Sequence, residues 1–313
     1  LYGETGRAET VTNVSAALVI RDPTLDTVDL AAESSVNSTV GQNVSVGEAV
    51  LLQNTVNLVE GTSRVVVVLA LPSGERLRLE NSTSSIVLGQ QVSCDTNNPA
   101  PVANSSFVTY DFGLCLNRPD GAVNASDTIV IKSRLQVLNV SGNAQLQTMT
   151  VSSTFVFSRG ETLVSNVSNS VLYRVVEPKL AIAIFNTSTL NVDAGDMVRY
   201  NVSVTHRSDS QSFAYDMVVT ASLPSYLQAV SAENGSDAWP WVLVNNGSQV
   251  QFLVGALDTS RSYQTSFVAQ VLDSIKPSTQ SVTVGVQATF DSHPDVLYGE
   301  TGRAETVTNV SAA

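Results

Sequence analysis

The residues with the clearest chemical potential in this chain are asparagines. Thirteen stand in Asn-x-Ser/Thr triplets in which x is never proline: Asn13, Asn37, Asn43, Asn81, Asn104, Asn124, Asn139, Asn166, Asn186, Asn201, Asn234, Asn246 and Asn309. This triplet is the acceptor for N-linked glycan, which attaches to the side-chain amide and requires a surface position. The chain has 22 asparagines and 68 serines and threonines in 313 residues. Random placement would give about 5 triplets. The excess predicts covalent N-linked glycans and an extracellular or cell-surface location.

Two cysteines, Cys94 and Cys115, bracket the loop-rich stretch "CDTNNPAPVANSSFVTYDFGLC". Metal or redox chemistry would need a second close pair or a nearby histidine, and neither is present. In an extracellular chain the expected outcome is a disulfide that closes an insertion over 94–115. No catalytic constellation appears. His206 and His293 each sit beside Ser and Asp in turn-like stretches, "HRSDSQS" and "DSHPD", without a partner at metal spacing. Nucleotide-binding glycine motifs and a nucleophile elbow are absent, and the many serines lack a candidate base. The expectation is that the chain is not an enzyme and has no cofactor beyond its glycans. Calcium is the less favoured idea for Asp22, Asp26 and Asp29 in "RDPTLDTVD", and for Asp193 and Asp196 in "NVDAGD". Acidic turns without calcium are commoner. A Lys–Asn or Lys–Asp isopeptide link has only Lys132, Lys179 and Lys276 to draw on. Trp239 and Trp241 in "DAWPWVLV" share strand parity. They form either an aromatic platform for sugar or, the favoured reading, a core or interdomain contact.

The elements that must carry these residues are strands. Ser, Thr, Val and Asn dominate the composition, while only 14% of residues are charged and 43% are hydrophobic. Net charge is −12, which leaves no electrostatic footprint for nucleic acid. The longest apolar run, "VVVVLAL" from Val65 to Leu71, suits one strand and is far short of a membrane span. In "MVRYNVSVT", Val198, Tyr200, Val202 and Val204 form one face, and Arg199, Asn201 and Ser203 the other. Asn201 is thus expected outside. "QNVSVGEAV" reads the same way, with Val44 and Val46 inward and Asn43 and Ser45 outward. Asn139 shares parity with Leu135 and Val137 and is expected just beyond its strand. A bare surface with so few charges would be poorly hydrated, and a glycan coat would supply that hydration.

The chain is periodic at two scales. Residues 1–17, "LYGETGRAETVTNVSAA", are identical to residues 297–313, so one period is 296 residues. A fainter echo divides that period in half. Gly47-Glu48 matches Gly195-Asp196, Leu71-Pro72 matches Leu223-Pro224, and "TMTVSSTF" matches "TVGVQATF". "ETLVSNVSNSVLYRVVEPKL" in turn matches "ETVTNVSAALVIRDPTL". Short alternating strands separated by turn signals, occurring twice, predict an all-β chain of two tandem sandwiches.

The second half carries "EPKLAIAI", "AGDMVRYNVSVT", "AYDMVVTASLP" and "GVQATF" in that order. This resembles the tandem "conserved repeat" immunoglobulin-like sandwich domains of microbial cell-surface proteins. The first half is a more distant copy, which keeps "VGEAV" and "LALPSG" but lacks the tyrosine and adds the 94–115 insertion. The resemblance implies a stalk or fibre module without catalytic residues. The expected organisation is a terminal strand or linker over 1–21 belonging to the preceding repeat, a first module over 22–176, and a second over 177–313 completed by 297–313. The expected function is a structural unit of a heavily N-glycosylated extracellular fibre assembled head to tail from identical units. The alternative is an adhesin or carbohydrate-binding stalk with a sugar or surface ligand. Covalent tandem repeats are favoured over a polymer of separate chains that exchange strands.

Overall fold

The computed structural model describes residues 22–36, 39, 41–80, 84–159, 162–187, 191–233, 241–245, 247–275, 283–294 and 301–312. Among these the regular elements are strands, with single 3₁₀ turns at Ala31–Glu33 and Ala125–Asp127. In the first half the strands are β1 (Thr24–Asp29), β2 (Asn43–Val44), β3 (Ala49–Asn57), β4 (Gly61–Ala70), β5 (Leu77–Leu79) and β6 (Ser85–Leu88). They continue with β7 (Val92–Cys94), β8 (Val102–Ala103), β9 (Phe107–Asn117), β10 (Thr128–Val137), β11 (Thr148–Arg159) and β12 (Thr162–Val175). The second half holds β13 (Leu180–Asn186), β14 (Met197–His206), β15 (Ala214–Ser222), β16 (Leu227–Glu233) and β17 (Trp241–Asn245). It ends with β18 (Gln249–Leu257), β19 (Ser262–Val271), β20 (Thr283–Asp291) and β21 (Ala304–Ala312).

The strands form two sheet pairs. One sheet of the first pair runs β1-β3-β10-β5 with β6 also on β10; its partner runs β2-β12-β11-β4-β9-β7 with β8 on β9. The second pair consists of β13-β14-β19-β16 and β17-β18-β15-β20-β21. All pairings are antiparallel except β2 with β12, which brings Asn43 beside Arg174 and Val44 beside Val175.

Alternation explains why each sheet has an inside. In β4, Val65, Val67 and Leu69 are fully buried, while Arg64, Val66 and Val68 face outward in part. Leu52, Val56, Ile129 and Leu135 of one sheet meet Tyr110, Phe112, Phe155 and Tyr173 of the other in a single apolar cluster. Each such side chain contributes about 1.5–3 kcal/mol by leaving water. The Tyr110 hydroxyl keeps a partner inside, Ser133 Oγ at 2.8 Å. The second pair has its own cluster, in which Tyr200 stacks on Phe267 with ring centroids 5.2 Å apart. Val198, Tyr200, Val202 and Val204 all point into it, and Arg199, Asn201 and Ser203 lie on the outer side.

One expected orientation is wrong. Val44 and Val46 are buried and Asn43 is half-exposed, but Ser45 is buried too. The strand ends at Val44, so parity no longer applies at Ser45. Its N–H donates to Glu48 Oε2 at 2.7 Å and its hydroxyl turns to the same carboxylate.

Candidate functional site

The Gly-acid turns recognised as an internal echo are built alike down to individual bonds. Gly47 N–H donates to Val137 O at 2.9 Å, and Val137 N–H donates to Glu48 O at 2.8 Å. In the second pair Gly195 N–H donates to Val271 O at 2.8 Å, and Val271 N–H donates to Asp196 O at 2.9 Å. The acid side chain closes each turn from within. Ser45 N–H reaches Glu48 Oε2 at 2.7 Å, and Asp193 N–H reaches Asp196 Oδ2 at 2.8 Å. Both glycines have positive φ, 92° and 93°. An L side chain at either would be in the left-handed half of φ space.

Their surroundings differ. The turn at Gly47 lies against residues at the end of β20 and just before β21, Ser292, His293 and Gly302. A Cβ on Gly47 would stand 3.0 Å from Gly302 N and 3.1 Å from His293 Cβ. Gly302 in turn has no room for a side chain, since its Cβ would lie 2.6 Å from His293 N. Ser292 Oγ donates to Val46 O at 3.0 Å and accepts from Arg303 N–H at 2.7 Å. His293 is buried, with Nε2 3.3 Å from Ser35 Oγ. The Arg303 guanidinium fastens the seam from the second sheet pair. It donates to Asn143 O at 3.0 Å, Val140 O at 2.9 Å and Asn139 Oδ1 at 3.3 Å, and it pairs with the buried Glu177 carboxylate. Lys179 Nζ contacts both Glu305 carboxylate oxygens, at 2.8 and 3.0 Å. By contrast, no described residue lies within 4 Å of a Cβ placed on Gly195.

Glu48, beside this seam, is buried and hydrogen-bonded by Ser34, Thr39 and Ser45 of its own half. Desolvation pushes its carboxyl up to about 7, against opposing hydrogen bonds from Ser34, Ser45 and Thr39. Sequence reasoning missed Arg303, Ser292 and the Gly47–Gly302 contact. The only available signal was the Gly-Arg pair inside the duplicated end segment.

Of the sequon asparagines, Asn104, Asn124, Asn139 and Asn309 are exposed, and Asn43, Asn186 and Asn201 are half-exposed. Asn139 lies two residues beyond the end of β10. Asn104 and Asn124 both sit in turns that their own side chains fix. Asn104 Oδ1 accepts from Ser106 N–H at 2.8 Å and Phe107 N–H at 2.7 Å. Asn124 Oδ1 accepts from Ser126 N–H at 2.7 Å. Asn309 differs from Asn201 although both belong to Asn-Val-Ser. It opposes buried Val286 and donates through Nδ2 to Ile182 O at 2.8 Å, which bridges β21 to β13. Asn13, Asn37, Asn81, Asn234 and Asn246 lie outside the described residues, as does the side chain of Asn166.

Cys94 and Cys115 are direct register partners on β7 and β9 and are disulfide-bonded. No group of three or more His, Cys, Asp or Glu placed to hold a metal occurs among the described residues. The calcium candidates do not converge, because Asp26 and Asp29 have opposite strand parity. Asp26 accepts from Asn169 at 3.5 Å, and Asp29 accepts from the Tyr173 hydroxyl at 3.1 Å. Desolvation raises the Asp29 carboxyl, with the Tyr173 bond opposing. His206 is held within its own turn region by Ser210 Oγ at 2.7 Å and Leu257 O at 3.0 Å. Desolvation lowers its pKa. Lys132 reaches Glu33 at 3.2 Å, and Lys276 lies outside the described residues. Trp239 also lies outside them, and so does the side chain of Trp241. No helix among the described residues is long and apolar enough to cross a membrane.

No family model matches the chain, and no curated protein matches it. Among solved structures it is similar to BspA_C_WT, at 11% identity and TM-score 0.43, over 93% of this chain and 100% of that one. It is also similar to the C-terminal domain of AspA, an antigen I/II-family protein of Streptococcus pyogenes, at 12% identity and TM-score 0.40, over 91% and 98%. A third is the 35 kDa C-terminal fragment of the major pilin GBS80 of Streptococcus agalactiae, at 10% identity and TM-score 0.33, over 93% and 91%.

Proposed function

We propose that this chain is the repeating unit of an extracellular, N-glycosylated fibre. Each 296-residue period holds two sandwich modules, 22–176 and 177–313, that follow one another head to tail. The observation that carries this reading is the pair of equivalent Gly-acid turns. The turn of one sheet pair meets His293 and Gly302 of the next, while no described residue lies within 4 Å of a Cβ on the equivalent glycine of the second. Serial modules that meet end to end produce this arrangement. The work of such a unit is mechanical and steric, with stability summed over modules and joints. Glycans on the sequon asparagines would hydrate a surface poor in charge and cover strand edges.

The test is the mass of the natural polypeptide after denaturation, reduction and removal of glycan, set beside electron microscopy of the untreated material. The expected result is a fibre and a polypeptide many times the 33.1 kDa of this chain. A mass of one unit inside a fibre would replace covalent tandem repeats by strand exchange between separate chains. Monomeric particles bearing no glycan would overturn the reading.

A further inference from the structure

Seven of the chain's nine phenylalanines are buried or half-buried; Phe107 and Phe185 alone are exposed, at 48% and 51%. Both stand opposite a sequon asparagine across an antiparallel pairing. Phe185 is the register partner of Asn201 between β13 and β14. Phe107 faces Asn104 across the turn that joins β8 to β9, with Asn104 N–H donating to Phe107 O at 2.9 Å. The next register pair in that hairpin is Ala103 with Val108. Directly opposed residues on neighbouring strands project to the same face with Cβ atoms about 4.5–5.5 Å apart. Val102, 75% exposed, lies two residues from Asn104 and so on the same face.

An exposed aromatic ring on an outer strand face loses the burial that normally accounts for its presence. A sugar ring supplies a matching surface. The axial C–H groups of a pyranose form an apolar face of slight positive charge, and the face of an aromatic ring is negative. A glycan on the asparagine amide opposite places its first sugar over that face. At Asn104 the carbonyl oxygen is already held by two backbone N–H groups, which orients the carboxamide and leaves its nitrogen for the linkage.

We propose that Phe107 and Phe185 are binding pads for the innermost sugar of the chain's own N-linked glycans, on Asn104 and Asn201 respectively. The proposal rests on the glycosylation part of the function proposed above. It makes the glycan part of the packed structure at these two positions, in addition to a hydrating coat.

The test is a double-mutant cycle in a host that N-glycosylates. Ser203→Ala removes the acceptor triplet and keeps Asn201, and Phe185→Leu removes the ring and keeps an apolar side chain. Glycopeptide mass spectrometry reads occupancy, tryptophan fluorescence reads the thermal midpoint, and proton NMR reads the sugar. Loss of the glycan should lower the midpoint by about 3 °C when Phe185 is present and by under about 1 °C when it is leucine. The first sugar's ring protons should shift upfield in the wild-type protein and lose that shift in Phe185→Leu. The same cycle with Ser106→Ala and Phe107→Leu tests the second pad. Occupied sites with additive effects and no upfield shift overturn the pads and leave glycosylation standing. Unoccupied Asn104 and Asn201 overturn the pads and the glycosylation reading at these positions together.

Discussion

The turn at Gly47-Glu48 and the turn at Gly195-Asp196 share their backbone bonds to within 0.1 Å, with Gly47–Val137 at 2.9 Å against Gly195–Val271 at 2.8 Å. Yet Glu48 is 1% exposed, while Asp196 and its neighbours from Asp193 onward are exposed. Ala49, just after the first turn, is fully buried; its counterpart Met197 is 51% exposed. The local motif therefore does not decide the environment of its acid. What decides it is the surrounding chain: Ser34, Thr39 and Ser45 hydrogen-bond the Glu48 carboxylate, and the neighbouring Ser35 and Gly47 meet His293 and Gly302 of the second sheet pair. The same residues act as a plain turn in one place and as half of an interface in the other.

The sharpest way to break this difference is to lift the cover. Gly302→Ala puts a methyl group 2.6 Å from a backbone nitrogen, which cannot move aside as a flexible side chain would. The expected cost is about 3 kcal/mol. Hydrogen exchange should locate it. The Val137 amide, bonded to Glu48 O, should exchange faster, while the Val271 amide, bonded to Asp196 O, should keep its rate. Equal acceleration of both amides would mean that the seam does not protect the first turn.

Gly47→Ala attacks the same contact from below. The positive φ alone costs about 1 kcal/mol for an L residue. The added methyl must also displace Gly302 N at 3.0 Å and His293 Cβ at 3.1 Å, for a total of about 2–3 kcal/mol. A chemical denaturation midpoint no lower than that of the Gly195→Ala protein would refute the added contact.

Much of this was legible beforehand. Alternation identified the inner face of β14 residue by residue, the half-period echo paired Gly47 with Gly195, and the cysteine spacing matched a disulfide better than a metal site. What escaped the sequence is instructive in physical terms. Ser45 follows strand parity on paper, but its strand ends one residue earlier and Glu48 captures it. Asn309 and Asn201 are both Asn-Val-Ser, yet only the sheet edge at Ile182 puts one amide to structural use. Arg303 and Asn143 are 160 residues apart, so their bond belongs to tertiary packing and leaves no local pattern.

The next effect is of similar size and depends on pH. With Glu48 pushed up to about 7 from the ordinary glutamate value of 4.5, the folded state holds a proton that the unfolded state has released across that interval. Stability contributed by this group is complete below about pH 4.5 and is lost as pH rises through about 7. The loss is about 3 kcal/mol. Urea midpoints of the wild type, corrected by those of Glu48→Gln, should fall between these pH values and level off above them. A difference curve that rises with pH would reverse the sign and place the charged form as the favoured one.

The smallest effect calibrates the others. Gly195→Ala meets no atom of the described residues within 4 Å, so its expected cost is that of the φ of 93°. About 1 kcal/mol is expected, read as faster exchange at Val271 with no change at Val137. In an isolated chain this cost should be the same at every protein concentration. If assembled fibres are compared with free chains, the expectation changes. A second unit seated on this end would bring atoms close to residue 195, and the alanine would then weaken assembly as Gly47→Ala weakens the internal seam. An alanine that costs about 1 kcal/mol in free chains and leaves assembly untouched would show that units join without covering this turn. The open end would then be a true terminus of the packed unit, and the likeness between the two turns would stop at their hydrogen bonds.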